Sequence, residues 1–411
     1  MDNEWECVIV GGGAAGLSAA LVLGRARRRT LLIDAGRQSN RAAQGIGGLL
    51  GFDGVPPADL YAEGRRELER YPSVEVRDGE VAAGMVGDDG FTVDLADGTA
   101  ERAGRLLLIR DGGSQVVEGT PEVVDSGQGG LLDVMVPRDF DTSREVFFTY
   151  ARKQGRGAGT AVFKARLSED GTRLEDGETI FEIAEGTRGG RHFGSRLVEA
   201  EDGHLFVTIG DRGDGPKAQD LSMHNGSVLR ITRDGAPAPG NPFVDTEGAR
   251  PEIWSYGHRN PQGAALDGTG QLWAVEHGAR GGDEVNRVTA GTNYGWPVIS
   301  YGVNYNGSKI GEGTQKDGMA QPVYFWDPSI APSGMTFYDG SVSDWSGNAF
   351  IGSLKFDYIS RLSGDPLAEV ERIESDETLR VRDLDQGPDG ALWFLSVGNG
   401  ALYRIVPASG G

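Results

Sequence analysis

Apolar residues follow two different periodicities along the chain, and the first predicts a mixed α/β segment. Within residues 1–109, short apolar runs alternate with two stretches in which apolar positions recur every three or four residues. The first stretch follows a glycine turn, and the second begins at Pro57 with Asp59 in its first turn. We therefore expect helices over 14–24 and 57–71, and strands over 8–10, 30–33, 74–77, 80–85, 91–95 and 105–109.

The helical periodicity ends near residue 109, and the rest of the chain consists of short apolar runs separated by Gly, Asp, Asn and Pro. The irregular spacing of one recurring strand favours the blades of a β-propeller with unequal loops over a solenoid of fixed period. The pattern predicts a mainly β protein with two domains, 1–109 and 110–411. The recurring strand, with its paired apolar or aromatic residues, falls at 146–150, 203–207, 270–274, 347–351 and 390–394.

Composition narrows the classes of function. The 411 residues carry 61 acidic and 40 basic side chains, a net charge of −21, which disfavours nucleic acid and anionic membranes as partners. No apolar run reaches the ~18 residues that span a membrane. The polar N-terminus lacks a basic, apolar leader, so the sequence as written predicts a cytoplasmic protein. The single cysteine, Cys7, excludes an internal disulfide, a Cys-x-x-Cys redox pair and a cysteine-built zinc site.

A glycine turn connects the first expected strand to the first expected helix. Residues 11–16 (GGGAAG) fit G-x-G-x-x-G through Gly11, Gly13 and Gly16, and Asp34 ends the next strand. Such a turn holds a diphosphate at the helix N-terminus, where N–H groups and the helix dipole favour negative charge. Asp34 can then accept a hydrogen bond from a ribose hydroxyl. The alternative is a glycine-rich turn without a ligand.

Together with 32–36 (LIDAG), 37–41 (RQSNR) and 56–60 (PPADL), this turn resembles the N-terminal FAD-binding segment of thioredoxin reductase-like flavoproteins. The resemblance implies a truncated α/β, Rossmann-like segment with FAD as its ligand. Those flavoproteins also have a pyridine-nucleotide domain, a second FAD segment and a redox cysteine pair, none of which has a counterpart in this sequence. An FAD-linked oxidoreductase of this type is therefore an alternative hypothesis.

From residue 127 onward, seven stretches resemble the pyrroloquinoline quinone (PQQ)-dependent aldose sugar dehydrogenases, six-bladed propellers of the glucose and sorbosone dehydrogenase family. The resemblance implies oxidation of an aldose at its anomeric carbon to a lactone, with hydride passing to PQQ and electrons to an external acceptor. Much of the family's first blade has no counterpart, so we expect a propeller lacking much of one blade. The resemblance also implies a periplasmic or secreted location, in conflict with the cytoplasmic location expected from the sequence as written. The stretches are 127–133 (GQGGLLD), 192–197 (HFGSRL), 254–263 (WSYGHRNPQG), 276–284 (EHGARGGDE), 293–297 (NYGWP), 352–355 (GSLK) and 380–383 (RVRD).

The same resemblance implies catalytic roles. His192 would be the base that removes the hydroxyl proton, since imidazole titrates near neutral pH. Gln128 would hydrogen-bond the sugar, and Arg259 would polarise the quinone oxygen. Arg191 stands where the soluble glucose dehydrogenase branch has an acid, which favours the aldose-sugar branch. Alternatively, His192 is a structural or surface residue of a glycine-rich loop and takes no part in catalysis.

PQQ carries three carboxylates and an ortho-quinone, so its site requires several fixed cations. Arg380 and Arg382 are two residues apart, so within a strand both would face the same side. Alternatively, Lys355, Arg380 and Arg382 are solvated charges on the protein surface. The residues implied to hold the cofactor are Arg259, Asn260, Lys355, Arg380 and Arg382.

Calcium is the implied metal, because this hard cation takes carbonyl and carboxylate oxygens. The resemblance assigns the carbonyls of Gly278 and Ala279 to a calcium at the cofactor. It assigns the Glu284 carboxylate and the Tyr294 carbonyl to a second, structural calcium. Alternatively, Glu284 is a solvated acidic residue of a loop and binds no metal.

The two resemblances meet within residues 104–112, where both families carry a Gly-Arg-Leu-like strand, so we interpret the sequence as a chimera of two truncated oxidoreductases. An open ring would expose two sheet faces, unless residues 91–109 supply a surrogate strand. The leading hypothesis is a PQQ- and calcium-dependent aldose dehydrogenase with a sugar and an electron acceptor as partners. The alternatives are the FAD-linked oxidoreductase and a propeller binding module without a cofactor.

Overall fold

The computed structural model describes residues 4–38, 46, 54–87, 90–103, 106–108, 117–340 and 342–405. The chain divides into two compact units, Met1–Val116 and Val117–Gly411, here called the N-terminal and C-terminal units. The expected domain boundary after residue 109 falls outside the described residues and stays a prediction.

The N-terminal unit contains a parallel sheet and a smaller, mostly antiparallel sheet. Its described elements are β1 (Glu4–Trp5), β2 (Cys7–Val10), α1 (Ala14–Arg25), β3 (Thr30–Asp34), α2 (Pro57–Leu68), β4 (Val74–Asp78), β5 (Val81–Gly87), β6 (Gly90–Leu95), β7 (Ala100–Ala103) and β8 (Leu106–Leu108). The parallel sheet has the order β4-β3-β2-β8, and the second sheet has the order β1-β7-β6-β5.

These elements follow the expected pattern, with two differences. Helix α2 ends at Leu68 rather than near residue 71, because Tyr71 precedes a proline and that position disfavours the α conformation. Strand β8 pairs with β2 inside the parallel sheet, and β6 and β7 pair in the second sheet. The expectation that residues 91–109 supply a surrogate propeller strand is therefore wrong for the residues described there.

The regular elements of the C-terminal unit are almost all strands. They form five antiparallel meanders, named sheet 1 (β9–β12), sheet 2 (β13–β16), sheet 3 (β17–β20), sheet 4 (β21–β24) and sheet 5 (β25–β27) once the bounds are given. The described elements are β9 (Leu131–Met135), α3 (Phe140–Ser143), β10 (Glu145–Gln154), β11 (Gly157–Leu167), β12 (Leu174–Glu182), β13 (Gly194–Glu199), β14 (Leu205–Ile209), a 3-10 helix (Gly215–Gln219), β15 (Ser227–Ile231), β16 (Ile253–Tyr256), β17 (Pro261–Leu266), β18 (Leu272–Glu276), β19 (Asp283–Arg287), β20 (Tyr324–Trp326), β21 (Pro332–Phe337), a 3-10 helix (Ser343–Trp345), β22 (Ala349–Ser353), β23 (Tyr358–Ser363), β24 (Ala368–Glu374), β25 (Val381–Gln386), β26 (Leu392–Ser396) and β27 (Ala401–Ile405).

The recurring strand of the sequence falls on the second strand of every sheet, β10, β14, β18, β22 and β26. The first strand of each sheet packs against the first strand of the next, from β9 to β25. The first strands therefore surround a common axis, and the sheets are successive blades of a propeller. The predicted fold class, a propeller lacking much of one blade behind a Rossmann-like segment, is confirmed.

An apolar layer fills each space between successive sheets. Phe147 of sheet 1 packs in one cluster with Leu197 of sheet 2, and similar layers join the following pairs of sheets. Large apolar side chains remain exposed on both terminal sheets, for example Val134 of sheet 1 and Leu402 of sheet 5. Such exposure is expected where the described residues place no sixth sheet between sheets 5 and 1.

Across the described parts of both units, the helices are all too short or too polar to cross a membrane.

Candidate active site

A cavity of about 820 Å³ lies at the axis of the C-terminal unit, and its wall comes from sheets 1, 2, 3 and 5 and from loops next to sheet 4. We call it the axial cavity. The predicted site residues in its wall are Gln128, Asn260, Lys355, Arg380 and Arg382. His192 and Arg259 are not wall residues, but each is next in sequence to one, Phe193 and Asn260 respectively.

The axial cavity gathers positive charge. Lys355, Arg380, Arg382 and Arg196 line it, and of these Arg196 is paired with Asp133, which also lines the cavity. Burial, and then the nearby charges of Arg380 and Arg196, lower the pKa of the Arg382 guanidinium. Because like charges are held together there, a bound anion would relieve their repulsion.

The expectation that Arg380 and Arg382 lie in one strand is wrong. Strand β25 begins at Val381, and Arg380 precedes it in the left-handed region with φ of 51°. The Asp357 carboxylate accepts the Arg380 backbone N–H at 2.7 Å, and Arg380 Nη1 donates to the Leu354 carbonyl at 3.2 Å. These bonds bring Arg380 to the cavity by a turn rather than by strand alternation.

His192 forms a close pair with Asp211, which follows the buried strand β14. His192 Nδ1 lies 2.6 Å from Asp211 Oδ1, and Trp296 Nε1 donates to Asp211 Oδ2 at 2.8 Å. Burial alone would raise the pKa of Asp211, but the hydrogen bonds from His192, Gly213 and Trp296 outweigh it, so the pKa lies below its usual value. An ionised Asp211 can only accept, so this contact favours the tautomer of His192 that carries its proton on Nδ1.

Two loops hold His192 in place. The Gln128 backbone N–H donates to the Gly190 carbonyl at 2.7 Å, and Gln128 Oε1 accepts the His192 N–H at 2.6 Å. Gly127 has φ of 66°, and a Cβ there would overlap the Gly190 carbonyl, so glycine permits this approach. His192 itself has φ of 54°, a conformation that non-glycine residues keep mainly where the surrounding structure enforces it.

Arg259 is buried beside the cavity, and its guanidinium is turned towards backbone oxygens. Nη1 donates to the carbonyls of His277 and Gly278 at 3.1 and 2.6 Å, while the ring of Trp296 lies 5.2 Å away. Nε has no hydrogen-bond partner among the described residues. Arg259 therefore keeps one buried donor available for a ligand oxygen. The next residue, Asn260, uses its Oδ1 to accept the Gly194 N–H at 3.1 Å.

The residues predicted to hold calcium at the cofactor offer backbone oxygens, one of which is already engaged. Gly278 accepts from Arg259, so a calcium ion there would share this oxygen with a guanidinium. Ala279 is buried next to it. No group of three or more His, Cys, Asp or Glu side chains suited to a metal occurs in the described parts of the chain. A calcium at this point would thus depend on carbonyls and on oxygens of the cofactor.

The Glu284 carboxyl predicted to hold the structural calcium is buried near two other acidic side chains. Burial, then the nearby Glu276 and Asp283, raise the pKa of the Glu284 carboxyl to about 8. Asn286 Nδ2 donates to Glu276 and Glu284 at 3.0 and 3.2 Å, and its Oδ1 has no partner among the described residues. No basic side chain forms an ion pair with Glu284 in the part of the chain that is described. A cation beside Glu284 would relieve the repulsion between these buried carboxyl groups.

The glycine turn of the N-terminal unit leads into α1. Gly11 has φ of 114°, Gly13 is the N-cap, and a Cβ on Gly16 would overlap the Gly11 carbonyl. Asp34 is buried and already has partners, namely an ion pair with Arg65 and hydrogen bonds from the Gln38 side chain and the Gly36 N–H. Although burial would raise the pKa of Asp34, these partners lower it. A ribose hydroxyl would have to share this carboxylate.

The chain is an oxidoreductase whose propeller has a cationic axial cavity beside a histidine–carboxylate pair. The chain belongs to the Glucose / Sorbosone dehydrogenase family, whose profile matches residues 94–404. It is similar to aldose sugar dehydrogenase YliI of Escherichia coli (strain K12), with 43% identity over 302 residues that cover 72% of this chain and 81% of that protein.

Solved structures agree with this assignment. The soluble aldose sugar dehydrogenase of Escherichia coli in its apo-form has a TM-score of 0.68 and 38% identity, covering 78% of this chain and 90% of that one. The PQQ-bound aldose sugar dehydrogenase of Streptomyces coelicolor has a TM-score of 0.55 and 27% identity, covering 75% and 82%.

The N-terminal segment has a different relationship. An FAD binding domain profile matches residues 6–74. A probable thioredoxin reductase of Arthroderma benhamiae is 39% identical over 80 residues, which cover 20% of this chain and 20% of that protein. Both resemblances expected from the sequence are therefore confirmed, while the individual site residues stay predictions.

Proposed function

We propose that this protein oxidises aldose sugars at the anomeric carbon to lactones, using PQQ and calcium, with His192 as the base. The observation that carries the proposal is the cationic axial cavity beside the His192–Asp211 pair. The PQQ-bound relative supports the choice of cofactor. A sugar and an external electron acceptor are the partners that this reaction requires.

His192 Nε2 would receive the proton of the anomeric hydroxyl. Asp211 would hold the ring in the tautomer that leaves Nε2 unprotonated, and it would stabilise the imidazolium once Nε2 is protonated. Trp296 and the Gly213 N–H fix the carboxylate so that it cannot turn away. PQQ, when bound, supplies an ortho-quinone that accepts hydride. Gln128 holds the His192 loop and would contact the sugar.

The cofactor would be held by charge and by hydrogen bonds. Lys355, Arg380 and Arg382 would bind its carboxylates, and Asn260 would bind its edge. The unpartnered Nε of Arg259 would donate to its oxygen. For calcium, the Gly278 and Ala279 carbonyls would serve the cofactor's ion, and Glu284 with the Tyr294 carbonyl would serve the structural ion.

Reconstitution tests this proposal. The purified chain is stripped with a chelator, supplied with PQQ and calcium, and assayed for aldose-dependent reduction of a dye. We expect turnover that is abolished in His192→Asn and retained in His204→Asn, a histidine on a turn of sheet 2 that does not line the cavity. Turnover that survives in His192→Asn would refute the role of the base. PQQ binding without turnover, in both proteins, would indicate an inactive remnant, and no PQQ binding would favour a propeller binding module.

FAD bound to the N-terminal unit is a second candidate, because the FAD binding domain profile matches this segment. A ribose hydroxyl of FAD would compete with Arg65 and Gln38 for the Asp34 carboxylate, which both side chains already bind. Purification followed by a visible spectrum separates the two proposals. A yellow wild-type protein and a colourless Gly13→Val variant would support an FAD site. A colourless wild-type protein would show that the chain does not take up FAD during expression.

A further inference from the structure

A second cavity, of about 480 Å³, lies between sheets 3 and 4 of the C-terminal unit. Its walls come from strand β20 and the loop that follows it, from the loop before β23, and from the ends of β23 and β24. We call it the Tyr358 cavity. None of the residues assigned to PQQ, calcium or FAD belongs to its wall.

Aromatic rings form the mouth of the Tyr358 cavity. Phe325 and Phe356 are 41% and 42% exposed. Phe325 is supported from behind by Tyr301, whose ring stacks on it at 4.3 Å between centroids. Lys355 Nζ lies 4.8 Å from the centre of the Phe356 ring. Two exposed rings fixed in this way present flat apolar surfaces to whatever enters.

A buried hydroxyl without a partner lies in the same wall. Tyr358 is 2% exposed, and its phenol oxygen makes no hydrogen bond to any described residue. Burial, together with the charge of Glu369, raises the pKa of this phenol to about 12, so it remains a donor at neutral pH. Arg372, Glu374 and Tyr324, whose charges also act on the phenol, are themselves wall residues. An unsatisfied buried hydroxyl is unfavourable, and a ligand oxygen would satisfy it after a small shift of the ring, because the phenol oxygen itself exposes less than 1 Å².

Other polar groups nearby are satisfied within the protein. The indole N–H of Trp326 donates to the Glu369 carboxylate at 3.0 Å, and Ser360 donates to the same carboxylate at 2.6 Å. Arg372 is held by Glu369 at 2.6 Å, with its guanidinium 4.9 Å from the Tyr358 ring. The missing partner is therefore specific to the Tyr358 hydroxyl and does not reflect a loosely packed region.

The Tyr358 cavity adjoins the axial cavity. Lys355 lines the axial cavity and Phe356, the next residue, lines the Tyr358 cavity. In the same way, Ala331 lines the first and Ile330 the second. Because the same two chain segments supply neighbouring residues to both walls, the two cavities lie side by side.

We propose that the Tyr358 cavity is a saccharide subsite, which holds a second ring of an oligosaccharide whose reducing end enters the axial cavity. The C–H face of a pyranose ring stacks on Phe325 or Phe356, while one of its oxygens accepts the Tyr358 hydroxyl. Arg372 and Glu374 at the edge bind further hydroxyls. The placement of the reducing end rests on the function proposed above, whereas the binding of a sugar ring by this cavity does not.

Calorimetric titration of the full chain with methyl maltotrioside and methyl cellotrioside tests the subsite without turnover, because neither glycoside has a free anomeric hydroxyl. We expect binding of at least one of them, weakened about five- to tenfold in Tyr358→Phe, which removes only the hydroxyl. Phe356→Ala should weaken it similarly. Tyr305→Phe, which alters a tyrosine that is 74% exposed and outside both cavities, should bind as the wild type does.

Binding of neither glycoside, or binding that is unchanged in Tyr358→Phe, would overturn the subsite. In the reconstituted enzyme, the KM for the free trisaccharide should rise in Tyr358→Phe while the KM for the monosaccharide stays constant. A rise in the KM for the dye instead would identify the cavity as a site for a flat electron acceptor. Glycoside binding that depends on Tyr358, in a protein without dehydrogenase activity, would refute the proposed function and leave the subsite standing.

Discussion

Arg196 joins four of the five sheets at the axis, and its removal is the sharpest test of how the open ring is held. Its Nη1 lies 3.0 Å from Asp133 of sheet 1 and 2.9 Å from Asp383 of sheet 5, the two sheets that border the missing blade. Its guanidinium also donates to the Gln262 carbonyl of sheet 3. Burial would lower the pKa of Arg196, but the two carboxylates raise it.

The change Arg196→Met keeps the volume of the side chain and removes its charge. The Asp133 side chain is 7% exposed, so the variant would leave a buried carboxylate unpaired, which costs about 3–5 kcal/mol at neutral pH. Burial, opposed by Arg196, already raises the pKa of Asp133, and the variant raises it further. When the pKa of a carboxyl is higher in the folded than in the unfolded state, the protein loses stability as pH rises above the unfolded value of about 3.9. The loss of unfolding free energy in Arg196→Met should therefore be smaller near pH 5 than near pH 7.5.

Urea unfolding followed by tryptophan fluorescence measures this effect, because six of the seven tryptophans, all except Trp5, lie in the C-terminal unit. We expect the midpoint of Arg196→Met to fall by about 1 M or more at neutral pH. Adding Asp133→Asn should recover part of the loss, since the carboxylate that then lacks Arg196, Asp383, is 33% exposed. Arg173→Met, which breaks an exposed pair with Glu175, is the matched control and should not shift the midpoint. A midpoint for Arg196→Met equal to that of the wild type at both pH values would refute the reasoning.

Three further outcomes are expected. Asp211→Asn should lower the turnover of the reconstituted enzyme about 100-fold or more, because the favoured tautomer of His192 is lost, while PQQ binding measured by fluorescence quenching stays unchanged; equal losses of both would contradict a positioning role. Arg382→Ala should weaken PQQ binding about tenfold, and added salt should weaken wild-type binding more than that of the variant; identical salt dependence would count against charge recognition. Gly16→Val should unfold the N-terminal unit by driving a side chain into the Gly11 carbonyl, with proteolysis of that unit as the measurement and an intact, protease-resistant unit as the contrary result.

The sequence predicted the local elements and the second strand of every sheet, because alternating apolar residues and glycine turns are local signals. It missed the Asp133–Arg196–Asp383 contact, although all three residues lie in the recognised stretches, because their convergence depends on how separate sheets meet at the axis. Asp211 was missed for a related reason: a carboxylate after an apolar strand is common, and only folding brings it to His192. Strand alternation also misplaced Arg380, which reaches the cavity from a turn.

Because sheets 1, 2, 3 and 5 and the loops next to sheet 4 all supply wall residues to the axial cavity, occupancy and folding are thermodynamically linked. A ligand that binds there recognises the assembled ring and not any separate sheet, so its binding free energy adds to the stability of the whole unit. At a free concentration a thousand times its dissociation constant, such a ligand would stabilise the unit by about 4 kcal/mol. A ring interrupted at one blade would gain cohesion from the compound it holds, and its melting temperature would serve as a measure of occupancy even in a variant that cannot turn over.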